Sequence, residues 1–153
     1  MKSILNFEIT NIEANKYGNA DKVEIKQGVS IRGIDLSSNV SNNDFVVLRI
    51  GFNYVSEYVN LGLIKIQGNV FVLEEKKKGE EIVKKWEENK AVEKNLLESV
   101  INFAYKNCLI ESIHISQRLG LPLPIPLPSI KFEVKENKEE KKEEKEQKKE
   151  KEK

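Results

Sequence analysis

The feature that most constrains this chain is a change of hydrophobic period at Glu74. Before it, apolar side chains recur at every second position; after it, they recur at helical spacing. Phe7, Ile9 and the offset Ile12 mark a first strand that runs out near Tyr17-Gly18-Asn19. Val23 and Ile25, then Val29 and Ile31, then the offset Ile34 and Leu36 mark a long second strand. Gly28 and Gly33 inside it predict a bulge or a close backbone approach. The composition of residues 37–44, Ser-Ser-Asn-Val-Ser-Asn-Asn-Asp, predicts a turn. Over residues 45–59, Val46, Leu48, Ile50, Phe52 and Tyr54 share one face of a third strand, which Asn60 ends. Residues 61–73 make a fourth, with Ile64 and Ile66 on one face. Either Val70 and Val72 or Phe71 and Leu73 continue that face beyond Gly68. Strands that follow one another without helices predict an antiparallel sheet.

Beyond Glu74, Ile82, Val83 and Trp86 are spaced for one face of a short helix after Gly79. A longer helix is predicted over residues 91–119. Leu97, Val100, Ile101, Ala104, Cys108 and Ile115 form one stripe, and Leu96, Phe103, Ile110 and Ile113 widen it. A helix on one sheet needs an apolar arc of a little over 100°. The wider arc predicts a second partner for this helix, such as another subunit. The expected fold class is α+β, a four-stranded antiparallel sheet followed by a long C-terminal helix.

The helical pattern stops at Gly120, and four prolines then alternate with large aliphatic residues in Leu-Pro-Leu-Pro-Ile-Pro-Leu-Pro. Proline fixes φ near −65° and lacks an N–H, so this stretch is neither helix interior nor central strand. It is extended, as in polyproline II. Leu121, Leu123, Ile125 and Leu127 then need an apolar surface, either the chain's own core or a site where apolar ligands also bind.

The charge is concentrated at the end of the chain. Nine of the 26 basic and eight of the 25 acidic residues lie from Lys135 onward, which leaves 17 of each in the body. We divide the chain into a folded domain, residues 1–133, and a Lys/Glu-rich tail, residues 134–153, expected to be a solvated helix or disordered. The neutral body gives no electrostatic reason to expect nucleic acid or an anionic membrane surface as partner. The single cysteine, Cys108, excludes an intramolecular disulfide. No stretch has signal-peptide character or approaches the roughly 18 apolar residues of a membrane span. These features predict a soluble cytoplasmic protein.

Motifs for catalysis are lacking. One histidine, His114, and one cysteine do not supply the usual ligands of a zinc site. Gly28, Gly33, Gly51, Gly62 and Gly68 are isolated within strands, so there is no phosphate-binding loop, and no nucleophile elbow occurs. Cys108 falls on the apolar stripe and is expected to be a core thiol. No enzyme, metal or cofactor is predicted. What remains is surface: Phe52, Tyr54, Tyr58 and Trp86 either belong to the core or line an apolar groove.

Several strings, in order, resemble the SecB export-chaperone family. Phe45-Val46-Val47-Leu48-Arg49-Ile50 is similar to the family's Val-Val-Leu-Arg-Val strand, and Gly68-Asn69-Val70-Phe71-Val72-Leu73 to its Gly-Ile-Phe-Ser-Ile segment. Gly120-Leu121-Pro122 and Leu127-Pro128-Ser129-Ile130-Lys131-Phe132 resemble its Gly-Thr-Phe-Pro and Leu-Ala-Pro-Val-Asn-Phe. Phe7-Glu8-Ile9, with Ile12 and Lys16, is similar to its first strand. The resemblance implies a homotetramer, a dimer of dimers with long helices packed between sheets. It also implies ATP-independent binding of unfolded or pre-export polypeptides in apolar grooves. The family's second helix has no apolar counterpart here, and the acidic C-terminal features used with the SecA motor are missing, so no SecA partnership is implied. With that function, Ile31, Ile34, Trp86, Leu121, Leu123, Ile125 and Leu127 are the expected groove lining. The alternative is an oligomeric adaptor or scaffold that recognises one folded partner through the same surface.

Overall fold

The computed structural model describes residues 3–41 and 43–125, with the backbone alone for residues 38–41. Four strands precede two helices: β1 (Ser3–Lys16), β2 (Ile25–Ser41), β3 (Phe45–Tyr58), β4 (Gly62–Glu75), α1 (Lys76–Asn89) and α2 (Lys94–Leu119). The sheet order is β1-β4-β3-β2, and every neighbouring pair is antiparallel. β2, β3 and β4 form a meander, and β1 lies against the far side of β4. The two edges are therefore β1 and β2. The connection from β1 to β2 passes the β3–β4 turn, where the Tyr17 N–H donates to the Leu61 carbonyl (2.9 Å) and the Val59 N–H to that of Glu24 (3.0 Å). Asn60, in the left-handed region at φ 60°, makes the turn that ends β3. The fold is α+β, as the change of period implies.

Alternation decides which face the helices cover. Val46, Leu48, Ile50, Phe52, Tyr54 and Tyr58 of β3 are buried, as are Ile64, Ile66, Val70 and Val72 of β4. The covered face therefore continues through Gly68 to Val70 and Val72, and Phe71 and Leu73 turn to the other face. Gly68 lies on the covered face itself. A Cβ there would strike the Glu8 carbonyl oxygen and lie 2.8 Å from the Phe52 ring. The absent side chain makes room for Phe52, which stacks on Phe7 with centroids 5.4 Å apart. Phe7 in turn meets Phe103 of α2 edge-on at 5.8 Å.

Some local expectations change. Gly28 pairs regularly with Val55, and a Cβ there would meet nothing within 4 Å. The irregularities of β2 lie between Leu36 and Ser41 and between Ile31 and Gly33, where Arg32 is the extra residue. That bulge explains the offset of Ile34: Ile31 pairs with Phe52 and Ile34 with Ile50, so both face the helices. Residues 37–41 continue β2 instead of turning, and Ser41 pairs with Val46. An edge strand running out beyond the core needs no apolar alternation, which is why this stretch has a turn's composition. α1 starts at Lys76, ahead of Gly79, because Gly79 is a packing residue and not a start signal. A Cβ on it would run into Val46 Cγ2. α2 starts at Lys94, not residue 91, because Lys90 ends α1 in the left-handed conformation at φ 54°.

The buried residues of α2 are Leu96, Val100, Ala104, Cys108, Ser112 and Ser116. A repeat of four advances by about 40° per step on an α-helix, so this seam winds as the helix crosses the sheet. Its first turn packs near Ile34 and Ile50 on the β2 side, and its end lies over β1, where Lys16 Nζ donates to the Gly120 carbonyl (3.4 Å). From Ala104 onward the seam is made of small residues, and the β3 side chains beneath include Phe52, Tyr54 and Tyr58. Large residues on the sheet thus meet small ones on the helix. Gly120, at φ 66°, ends the helix, with the Leu121 N–H donating to the Ser116 carbonyl (2.8 Å) and the Gly120 N–H to that of Gln117 (3.4 Å).

Two glycines test this packing. Gly79→Ala would raise stability by about 1 kcal/mol in a solvated helix, but is expected to lower it here by about 1–3 kcal/mol through overpacking against Val46. Gly68→Ala is expected to cost more, because its obstacle is a backbone carbonyl that cannot rotate away. Urea unfolding midpoints of the two variants check both the sign and the order.

Candidate functional site

The flanks of α2 are not equivalent. Phe103 and Ile115 pack on the buried core. A second row lies beside the seam: Leu97, Ile101, Tyr105, Leu109 and Ile113, again four residues apart and so adjacent on one helix face. All five are half-buried. Tyr105 fixes the direction of this row, because its hydroxyl donates to Gln27 Oε1 on β2 (2.9 Å). Gln27 Nε2 then donates to the Tyr54 hydroxyl (3.4 Å), so one polar bridge links α2, β2 and β3. Tyr105 packs on the core and Leu97 closes against Ile34, Ile50, Leu96 and Val100, whereas Ile101, Leu109 and Ile113 are not among the described residues packed on it.

Opposite this row stand Ile25, Val29 and Ile31 of edge strand β2, which pair with Tyr58, Tyr54 and Phe52 and so face the helix side. They too are half-buried. This apolar flank of α2, tied to β2 near its middle by the Gln27–Tyr105 bridge, forms a candidate trough. From Leu97 to Ile113 it runs about 24 Å, the span of about seven extended residues. At its upper end Ile31, Ile34, Ile50, Val92, Leu96, Leu97 and Val100 close together and leave no room for water. Val92 is shared with a neighbouring cleft of about 400 Å³ over Ile82 and Ala91, rimmed by Lys78, Glu81, Lys85 and Glu93. Ion pairs link Lys85 with Glu81 (2.6 Å) and Lys78 with Glu93 (3.6 Å) on that rim.

The expected lining residues fall into separate places. Ile31 belongs to the trough floor, while Ile34 is buried at the closed end. Trp86 is half-buried on α1, packs on the core, and carries Lys90 Nζ 5.1 Å from its ring centroid. Leu121 is buried at the opposite end of the sheet, where a Cβ on Gly62 would come within 2.9 Å of it. Leu123 and Ile125 follow it half-buried, and Leu127 lies outside the described residues, as does the charged tail. Ile34 pairs with Ile50, and Gly62 pairs with Tyr58. The two ends are thus eight residues of β3 apart, about 26 Å, and the strap shares no pocket with Ile31 and Ile34. Phe52, Tyr54 and Tyr58 are fully buried and belong to the core. Residues of the trough absent from that expectation are Ile25, Val29, Leu97, Ile101, Tyr105, Leu109 and Ile113. Their signal is present in the sequence as two adjacent rows at four-residue spacing, when one row suffices to seat a helix.

The other face of the sheet mixes apolar side chains, among them Val47, Val55, Leu63, Phe71 and Leu73, with a polar network. Arg32 reaches across Gly51 and donates to Asn69 Oδ1 (3.3 Å), and Asn69 Nδ2 donates to Glu8 Oε1 (2.8 Å). Arg49 donates through Nε and Nη2 to both oxygens of Asp35 (2.8 and 2.9 Å), and its pKa is held above the usual value by that bond and charge. Apolar surface available to a partner is thus present on both sides of the sheet. Among the described residues no three His, Cys, Asp or Glu side chains converge as a metal ion requires. No described helix is long and apolar enough to cross a membrane.

No family model matches the chain, and neither does any curated protein. Among solved structures, the Mycobacterium tuberculosis Rv1957 SecB-like chaperone in complex with a ChAD peptide from the Rv1956 HigA1 antitoxin aligns over 87% of this chain and 93% of that chain. The identity is 10% and the TM-score 0.46. Both are too low for that likeness to assign a family.

The seam beneath the trough has a pH signature. Burial pushes the Cys108 thiol up to about 12, with Glu111 adding to the shift. Burial also raises Tyr54 and Tyr58, against the opposing influence of nearby serine hydroxyls. Each group stays protonated in the folded state while the unfolded chain ionises. Stability is therefore expected to be full below pH 9 and to fall as pH rises towards 12, by at most about 1.4 kcal/mol per unit from the thiol. Denaturant titrations across this range check it. Cys108→Ala, though less stable at pH 7, should show a shallower fall.

Proposed function

We propose that the chain is an ATP-independent holdase that binds unfolded or pre-export polypeptides in the trough between α2 and β2, acting as a cytoplasmic homotetramer. The observation that carries this reading is the second apolar row of α2. Ile101, Leu109 and Ile113 are half-buried and not among the residues packed on the core, so an apolar client can still remove them from water. Burial is favourable by about 25 cal/mol per Å² of apolar area. The row imposes little shape and so accepts many side chains. Several such troughs on one oligomer would hold a single long client by the addition of weak contacts, with no nucleotide needed. Ile110, 55% exposed in α2, offers an apolar contact for assembling subunits outside that row.

The protein is expected to suppress aggregation of a reduced, denatured model substrate without nucleotide. Ile101→Lys and Leu109→Lys should each raise the concentration needed by about fivefold, the factor for about 1 kcal/mol, with little change in thermal midpoint. Tyr17→Lys, at an exposed position away from α2, should act as wild type. Absence of suppression by the wild type at stoichiometric tetramer, with affinity capture of one folded stoichiometric partner, would favour the adaptor reading instead.

A further inference from the structure

The two halves of α2 are seated differently. In the first, Leu96 and Val100 are buried beside Ile34, Ile50 and Val92, in packing that leaves no room for water. In the second, the side chains against the sheet are Cys108, Ser112 and Ser116. Each is fully buried, and each is too small to bring much apolar area with it. The hydrogen bond from Tyr105 to Gln27 marks the boundary between the halves.

Beneath the second half lies a cluster of hydroxyls. Tyr54, Ser56 and Tyr58 occupy alternate positions of β3, so they share its helix side, and all three are fully buried. The hydroxyls of Ser112 and Ser116 lie close enough to act on the ionisation of these tyrosines. Their own protons go elsewhere: Ser112 Oγ donates to the Cys108 carbonyl and Ser116 Oγ to that of Ile113, both within the helix. Ser56 Oγ and the Tyr58 hydroxyl have no hydrogen-bond partner among the described residues. A buried hydroxyl without a partner opposes the packing that buries it. Serine that bonds back to its own helix also weakens that helix slightly. The flanks of this half are unequal as well. Ile115 and Leu119 pack on the core, whereas Leu109 and Ile113 are not among the described residues packed on it.

We propose that residues 108–119 of α2 open from the sheet as a unit, on the side of Leu109 and Ile113, while the first half of the helix stays in place. Opening hydrates the Ser56 and Tyr58 hydroxyls and bares the rings of Tyr54 and Tyr58 beside Leu109 and Ile113. Leu121, buried against Gly62, anchors the far end and limits the movement. A client gains aromatic surface in the open form, a use that rests on the holdase reading; the opening itself does not.

Cys108, buried and the single cysteine of the chain, reports the opening with no client present. In the folded full-length protein, its reaction with a chromogenic aromatic disulfide should be nearly independent of urea at low concentration, because a local opening exposes little surface. It should become steep only where global unfolding takes over. Ser56→Ala with Tyr58→Phe removes both unpartnered hydroxyls and keeps the shape, and should slow the low-urea reaction by about tenfold. In the wild type, native hydrogen exchange should be faster at the amides of residues 112–119 than at those of residues 98–104 by about a hundredfold. Labelling that follows the steep urea dependence of global unfolding throughout would overturn the proposal. Uniform exchange along α2 would overturn it too, as would labelling of the double variant at the wild-type rate or faster.

Discussion

The structure depends on one fit, a helix seam of small side chains laid across the largest side chains of the sheet. Ala104, Cys108, Ser112 and Ser116 let α2 approach closely, and Phe52, Tyr54 and Tyr58 fill the space beneath. Bulky seam residues would lift the helix, and small sheet residues would leave cavities. Of the polar atoms this brings inside, Ser112 Oγ donates to the Cys108 carbonyl (2.8 Å) and Ser116 Oγ to that of Ile113 (2.8 Å), while the Tyr58 hydroxyl and Ser56 Oγ have no hydrogen-bond partner among the described residues. The Tyr54–Gln27–Tyr105 bridge then ties the helix to the edge strand.

The surface follows from that fit. A seam of small residues spends little of the chain's apolar content, and the row beside it is left at half exposure. The sheet's far face carries Arg32, Asn69, Glu8, Arg49 and Asp35 in hydrogen-bonded order. That face also carries half-buried Val55, Leu63, Phe71 and Leu73; the helix side differs in holding an apolar row of α2 in excess of what its own core consumes. The reading as a client-binding protein rests on that excess and not on any reactive group.

The strands were legible from the sequence because burial on one face imposes a period of two, and β3 and β4 obey it through Tyr58 and Val72. Gly120 was legible as a stop because only a left-handed residue closes a helix in that way. The start of α1 and the end of β2 were less so. Gly79 has a packing role that no local signal distinguishes from a helix boundary, and the end of β2 lies beyond the core that enforces alternation. The candidate site was half legible. The width of the α2 stripe pointed to a second partner, but which flank it served depended on the crossing angle, which sequence spacing does not contain. Ile31 lies half-buried on the helix side, while Ile34 and Leu121, equally apolar, are buried in closed packing at opposite ends of the sheet. The Leu-Pro strap was expected beside the groove, and its described part instead seals the end of β4.

The central claim is that the row of α2 facing β2 binds unfolded chain. Photo-crosslinking from a benzoylphenylalanine placed at position 109, with position 110 as control, tests it most directly. With a reduced, denatured client present, position 109 should crosslink to the client, and a competing unfolded chain should suppress the adduct; position 110 should give no client adduct. Adducts from position 109 only to a second copy of the chain, or equal client adducts from both positions, would contradict the account.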